Sequence, residues 1–168
     1  MRKVENKDIL YDFEEHIQDM VCIFSEYRDL LKEKENALVK GDFDNLSEVI
    51  AEEENSVLQM SIAEKKRDDL SAELCEAMGI PQDSGITDIA EKLSEDEGTQ
   101  LMIKIAKLME ILQEVSLLHY NIDRMITFQM KHIKILENTI LGNDKINTYS
   151  AKGKYTPNKG SELFRGNG

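Results

Sequence analysis

Residues 95–141, EDEGTQLMIKIAKLMEILQEVSLLHYNIDRMITFQMKHIKILENTIL, decide the fold. Leu101, Ile105, Leu108, Leu112, Val115, His119, Ile122, Ile126, Gln129, Ile133, Leu136 and Ile140 follow one another in alternating steps of four and three. That is a heptad seam on an α-helix, broken only by the polar His119 and Gln129. Ser94 and Glu97 form a Ser-x-x-Glu capping box that starts it. At 1.5 Å per residue such a helix is about 70 Å long, enough to cover a shorter helical hairpin and overhang it.

Working outward, residues 10–38 carry a second seam. Leu10, Phe13, Ile17, Met20, Phe24, Tyr27 and Leu31 keep the same spacing, Lys34 interrupts it and Leu38 resumes it. Gly41 suits a helix C-terminus, and Asp42 or Asp44 suits the start of the next helix. That next helix is expected from about Asn45 to Met78. Its apolar side holds Leu46, Val49, Ile50, Val57, Met60, Ala63, Leu70, Leu74, Ala77 and Met78, with Glu53 and Arg67 at seam positions. Gly79 and Pro81 end it. Two helices of similar length joined by a short turn predict an antiparallel hairpin. Residues 86–93 predict one short helix. The fold class is therefore all-α: an elongated antiparallel hairpin, a long third helix, one short helix and a C-terminal tail.

The tail differs in composition. Residues 142–168 hold five basic and two acidic side chains, a net +3, while the other 141 residues hold 16 basic and 31 acidic, a net −15. Five of the nine glycines fall in the tail, and it has no helical or strand period. This divides the chain into a helical domain, 1–141, and a flexible basic segment, 142–168, expected to be disordered when free. Tyr149, Tyr155 and Phe164 lie in that segment. With Gly153 and Leu163 they are the candidate anchors for a partner, since linkers need no aromatics and recognition segments do.

The whole chain has 168 residues and a net charge of −12. That balance argues against sequence-independent nucleic-acid binding, which needs cations to neutralise phosphates. The longest unbroken apolar run, Met20–Phe24, is far short of a membrane span. Nothing at the N-terminus reads as a signal peptide. Cys22 and Cys75 belong to no metal or redox motif and are expected as unpaired thiols, partly buried, of a cytoplasmic protein.

Catalytic and metal chemistry are not encoded in any recognisable pattern. Di-iron bundles place a Glu three residues before a ligand His, but Phe13, Ser116 and Gln129 precede His16, His119 and His132. No nucleophile elbow or Gly-rich phosphate loop is present. His119 could serve as the histidine of a helical phosphotransfer domain, but the Lys-Gly pair that follows such a histidine is replaced by Tyr120-Asn121. No cofactor and no enzymatic activity are expected. The long helix carries Met102, Met109, Met125 and Met130, more flexible thioethers than one seam requires. Such side chains suit a surface that accepts apolar segments of another chain. His119, Asn121, Met125 and Met130 are the candidate partner surface on this helix.

The order of these features resembles the FlgN-type flagellar export chaperones. In that family an Ala-Leu, a Gly-Asp and a Leu mark the first helical turn, matched by Ala37, Leu38, Gly41, Asp42 and Leu46. An Arg late in the second helix is matched by Arg67. A tail opening Thr-Tyr-x-x-x-Gly is matched by Thr148, Tyr149 and Gly153. Many members also carry two asparagines early in the last third of the long helix; here Asn121 stands with His119 and Tyr120 beside it. The resemblance implies a cytoplasmic, non-enzymatic chaperone. It would bind flagellar hook-associated (hook–filament junction) proteins, prevent their premature assembly and deliver them to the export gate or its ATPase complex. A self-associating coiled-coil adaptor is the alternative that the seams alone allow.

Overall fold

A computed structural model describes residues 2–141 together with Thr148–Tyr149 and Tyr155–Thr156; the described side chains are those of residues 7–140. The expectation of a disordered tail lies outside the described residues, as do Gly153, Leu163 and Phe164. Among the described residues there are four α-helices: α1 (Arg2–Lys40), α2 (Phe43–Met78), α3 (Ile86–Lys92) and α4 (Glu95–Leu141). The all-α expectation holds. Residue contacts divide the chain into two compact units, Met1–Ile122 and Asp123–Gly168, so the division falls within α4.

In the first unit, α1 and α2 are joined by the turn that the sequence marks. Gly41 takes a left-handed φ of 68°, and the Asp42 N–H donates to the Ala37 carbonyl at 3.0 Å. The Asp42 carboxylate then accepts from the Asn45 N–H at 3.2 Å, capping α2. His16 meets Ala63, and Tyr27 meets Glu53. As the residue number rises on one helix it falls on the other, which makes the hairpin antiparallel. The pairs between α1 and α4 behave oppositely. Lys7 with Glu97, Glu14 with Lys104 and Tyr27 with His119 rise together. Within the unit α4 therefore runs parallel to α1 and antiparallel to α2, an up-down-up three-helix packing.

Every apolar seam residue read on α1 is buried: Leu10, Phe13, Ile17, Met20, Phe24, Tyr27, Leu31 and Leu38. On α2 the structure corrects the stripe. Its inward seam is Val49, Glu53, Ser56, Met60, Ala63, Arg67, Leu70 and Leu74, a regular heptad whose polar members disguise it. Ile50 and Val57 lie off that seam and are exposed. On α4 the positions seven apart, Leu101, Leu108, Val115 and Ile122, are buried as expected. Between them the helix buries Ile111, while Leu112 is exposed on the rim of a recess of about 280 Å³. Phe13, Ile17, Arg67, Ser71 and Ile105 also line that recess.

The short helix α3 closes one end of this unit. Ile89 is fully buried, and the α3 backbone lies directly on the first turn of α4. A Cβ at Gly98 would stand 2.6 Å from the Ala90 carbonyl oxygen, so only glycine fits there. The capping box forms as read. The Glu97 N–H donates to Ser94 Oγ at 3.4 Å. In return the Ser94 hydroxyl and the Ser94 N–H both donate to Glu97 Oε2, at 2.7 Å and 3.3 Å. These bonds, with Lys7 adding a smaller charge effect, hold the Glu97 carboxyl below the usual glutamate range. Gly79, left-handed at φ 69°, ends α2 as expected.

Candidate functional site

Three polar residues that interrupt the helical seams meet at one place. Lys34 comes from α1, Glu53 from α2 and His119 from α4. Lys34 Nζ donates to Glu53 Oε2 at 2.6 Å, in a pair whose side chains are only 16% and 15% exposed. The Tyr27 hydroxyl donates to Glu53 Oε1 at 3.2 Å. Its single proton is thereby used, so its oxygen accepts from Nε2–H of His119 at 2.8 Å. The His119 and Tyr27 rings lie 5.6 Å apart, centroid to centroid. Burial, and secondarily the charge and hydrogen bond of Glu53, push the Tyr27 phenol far above its ordinary pKa.

This chain of hydrogen bonds ties all three long helices together and gives each interruption a partner. It also determines what His119 can do. Its Nε2 is engaged by Tyr27, and the ring is half-buried, which disfavours its use as a phosphoacceptor. His16 is more deeply enclosed. Its Nε2–H donates to the Ala63 carbonyl at 2.8 Å, and its Nδ1 has no partner. That geometry gives His16 a structural role, tying α1 to the α2 backbone. Among the described residues, no group of three or more His, Cys, Asp or Glu side chains is placed to hold a metal ion. Among them also, no helix is long and apolar enough to cross a membrane.

Both cysteines are free, but they differ. Cys75 is buried, and burial followed by the charges of Asp83 and Asp88 pushes its thiol pKa up. Cys22 is exposed rather than partly buried, because it sits one step outside the Leu31–Phe24–Ile17 side of α1.

The second unit presents a different surface. From Asp123 onward the heptad pattern of α4 continues, but its apolar members are uncovered. Ile126, Ile133, Leu136 and Ile140 are 38%, 50%, 52% and 76% exposed. Met130, Phe128 and Ile135 are exposed as well. Phe128 and His132 make an edge-to-face ring contact at 5.9 Å, one helical turn apart. An isolated amphipathic helix shows one apolar stripe to one neighbour. Here, at about 100° per residue, apolar side chains occupy a sector of roughly 220°.

Of the residues expected to face a partner, Met130 is exposed on this segment and Met125 is half-buried on it. Asn121 and His119 belong to the first unit and are half-buried. In the tail, the structure brings Tyr149 opposite Tyr155, and Thr148 opposite Thr156, in a two-residue antiparallel ladder. Sequence reasoning missed Phe128, Ile135 and Ile111, which fall outside a single alternating seam. A count of apolar residues around the whole helical circumference would have found the first two.

The FlgN family model, described as FlgN protein, matches residues 14–157 of this sequence. The chain belongs to the FlgN family. The match takes in α1 from Glu14 onward, α2, α3, α4 and the paired dipeptides of the tail. No curated protein and no solved structure matches the chain. Family membership agrees with the resemblance carried by Gly41, Asp42, Arg67 and Thr148-Tyr149, and supports a chaperone role in flagellar export.

Proposed function

We propose that this FlgN-family protein is a cytoplasmic secretion chaperone for flagellar hook–filament junction proteins. It would hold them unassembled and hand them to the flagellar type III export apparatus. The observation that supports this most is the uncovered apolar sector of α4 between Asp123 and Leu141. The terminal helix of an assembly subunit is apolar on one face and polymerises through it. A helix-in-groove or helix-on-helix contact with α4 would cover that face until export. Each buried Ile or Leu contributes about 1.5–3 kcal/mol of apolar transfer, from which the cost of ordering both partners is subtracted.

The tail supplies the second part of the contact. Tyr149, Gly153, Tyr155, Leu163 and Phe164 would close over the client, with the aromatic rings as anchors and Gly153 allowing a turn between them. His119, Asn121, Met125 and Met130 would carry the client contact on the helix. The thioethers adapt to more than one client sequence.

Calorimetry with a C-terminal fragment of a junction protein tests this reading. The full chain should bind it as a one-to-one complex. Changing Tyr149, Tyr155 and Phe164 together to Ala should weaken binding at least about tenfold, or 1.4 kcal/mol, while leaving the melting temperature of the helices unchanged. Absence of binding by the unaltered chain would refute the proposed client. Light scattering at two concentrations should find a monomer without client; a concentration-dependent dimer would favour a self-associating coiled coil instead.

A further inference from the structure

We infer that the segment docking on residues 123–141 is an acidic amphipathic helix. The inference rests on the client-binding reading above and adds the chemical class of the client segment. Two observations carry it: the arrangement of charges around this stretch of helix, and the charge of the chain before and after it.

Around the helix, the sector not occupied by apolar side chains holds Arg124, Lys131 and Lys134 on one side. At about 100° per residue the three fall within roughly 80° of one another, forming a cationic strip that borders the apolar sector. Lys131 and Lys134 are exposed, and among the described residues neither makes an ion pair. In the first unit Lys7, Arg28, Lys34, Arg67 and Lys104 have carboxylate partners and its other described lysines stand among an excess of acidic side chains. Of the two acids of the stretch, Asp123 borders the cationic strip but stands eleven residues before Lys134, about 16 Å along the axis, and Glu137 lies within the apolar sector. An occupant whose flank carries carboxylates on the Lys131–Lys134 side meets opposite charge there; one flanked by lysines does not.

Along the chain, residues 1–122 hold 13 basic and 29 acidic side chains, a net −16. Residues 123–168 hold eight basic and four acidic, a net +4. An acidic helix is repelled by the first unit and drawn to the second, so the same charge pattern selects the docking unit as well as the ligand. Apolar burial sets the affinity, and the cations set which amphipathic helix is taken and how fast it arrives.

The test uses two synthetic helices of about 20 residues, nearly the length of the uncovered stretch. They share one apolar stripe; one is flanked by Glu and the other by Lys. Both are titrated into the full-length protein at about 0.05 M and about 0.5 M salt, spanning the Debye length of about 10 Å at 0.1 M. The Glu-flanked helix should bind at least about tenfold more tightly at low salt, with most of that preference lost at high salt. The double substitution Lys131→Glu and Lys134→Glu, on exposed positions, should abolish or invert the preference without changing helix content. Equal affinities, a preference for the Lys-flanked helix, or a preference indifferent to the double substitution would each overturn the inference. A junction-protein fragment titrated in parallel separates the two claims. If it fails to bind while the Glu-flanked helix binds as expected, the client is wrong and the acidic preference stands. If it binds with no dependence on salt or on Lys131 and Lys134, the client is right and the acidic preference falls.

Discussion

Tyr27 is where the helices' polar residues are reconciled with burial. It is 4% exposed, yet its hydroxyl bonds both a charged Glu53 and His119. Tyr27→Phe keeps the ring and removes the hydroxyl, leaving the half-buried Glu53 and His119 each short of a partner. The expected cost is about 1–3 kcal/mol in denaturant unfolding. The raised phenol pKa fixes the direction with pH. Its stabilisation is fully present below the unfolded tyrosine value of about 10 and is lost as pH rises through the folded value. An alkaline absorbance titration should therefore show one tyrosine ionising only as the protein unfolds, and Tyr27→Phe should remove that step. The cysteines give a second check at this scale. Exposed Cys22 should react with a maleimide at neutral pH, and buried Cys75 only after denaturation. Labelling of both at equal rates in the folded protein would contradict the packing of α2.

At the scale of elements, the sequence revealed the helices and their caps well and the α2 seam poorly. The turn at Gly41-Asp42 and the Ser94–Glu97 box are local motifs, determined by a few neighbouring residues, and both form. The α1 seam is unbroken from Leu10 to Leu31 because α1 is flanked by both other long helices. The α2 seam holds Glu53, Ser56 and Arg67, of which Glu53 is matched by Tyr27 and Lys34 of α1, so hydrophobicity alone points to Ile50 and Val57 instead. Gly98 was silent for the same reason: its need for hydrogen in place of a side chain comes from Ala90 across the loop. Gly98→Ala therefore separates two effects of opposite sign. Helix propensity alone would stabilise by up to about 1 kcal/mol. The contact with the Ala90 carbonyl instead predicts a loss of about 1–3 kcal/mol as α3 is displaced. A melting temperature that rises would mean α3 does not rest on α4 as described.

Across the whole molecule, function follows from which part of one continuous heptad pattern is covered. The pattern reads the same from Leu101 to Ile140, but up to Ile122 its members are buried or half-buried, save Leu112 on the rim of the recess, whereas its apolar members from Ile126 on are all exposed. Helix length alone predicts that α4 would overhang a shorter hairpin, but periodicity does not show which seam members are covered, so Phe128 and Ile135 became visible as part of the site only in the fold. The charge change along the chain was legible from composition, although its division by contacts falls at Asp123 rather than at the compositional boundary near Gly142. The central claim is that this uncovered stretch binds the client. Calorimetry of a junction-protein C-terminal fragment against the double variant Ile133→Asp and Leu136→Asp tests it most directly. Both positions are half exposed, so helix content and thermal unfolding of the first unit should be unchanged. Affinity should fall at least about a hundredfold, since two buried aliphatic contacts are worth about 3 kcal/mol or more. Affinity equal to that of the unaltered chain would contradict the central claim.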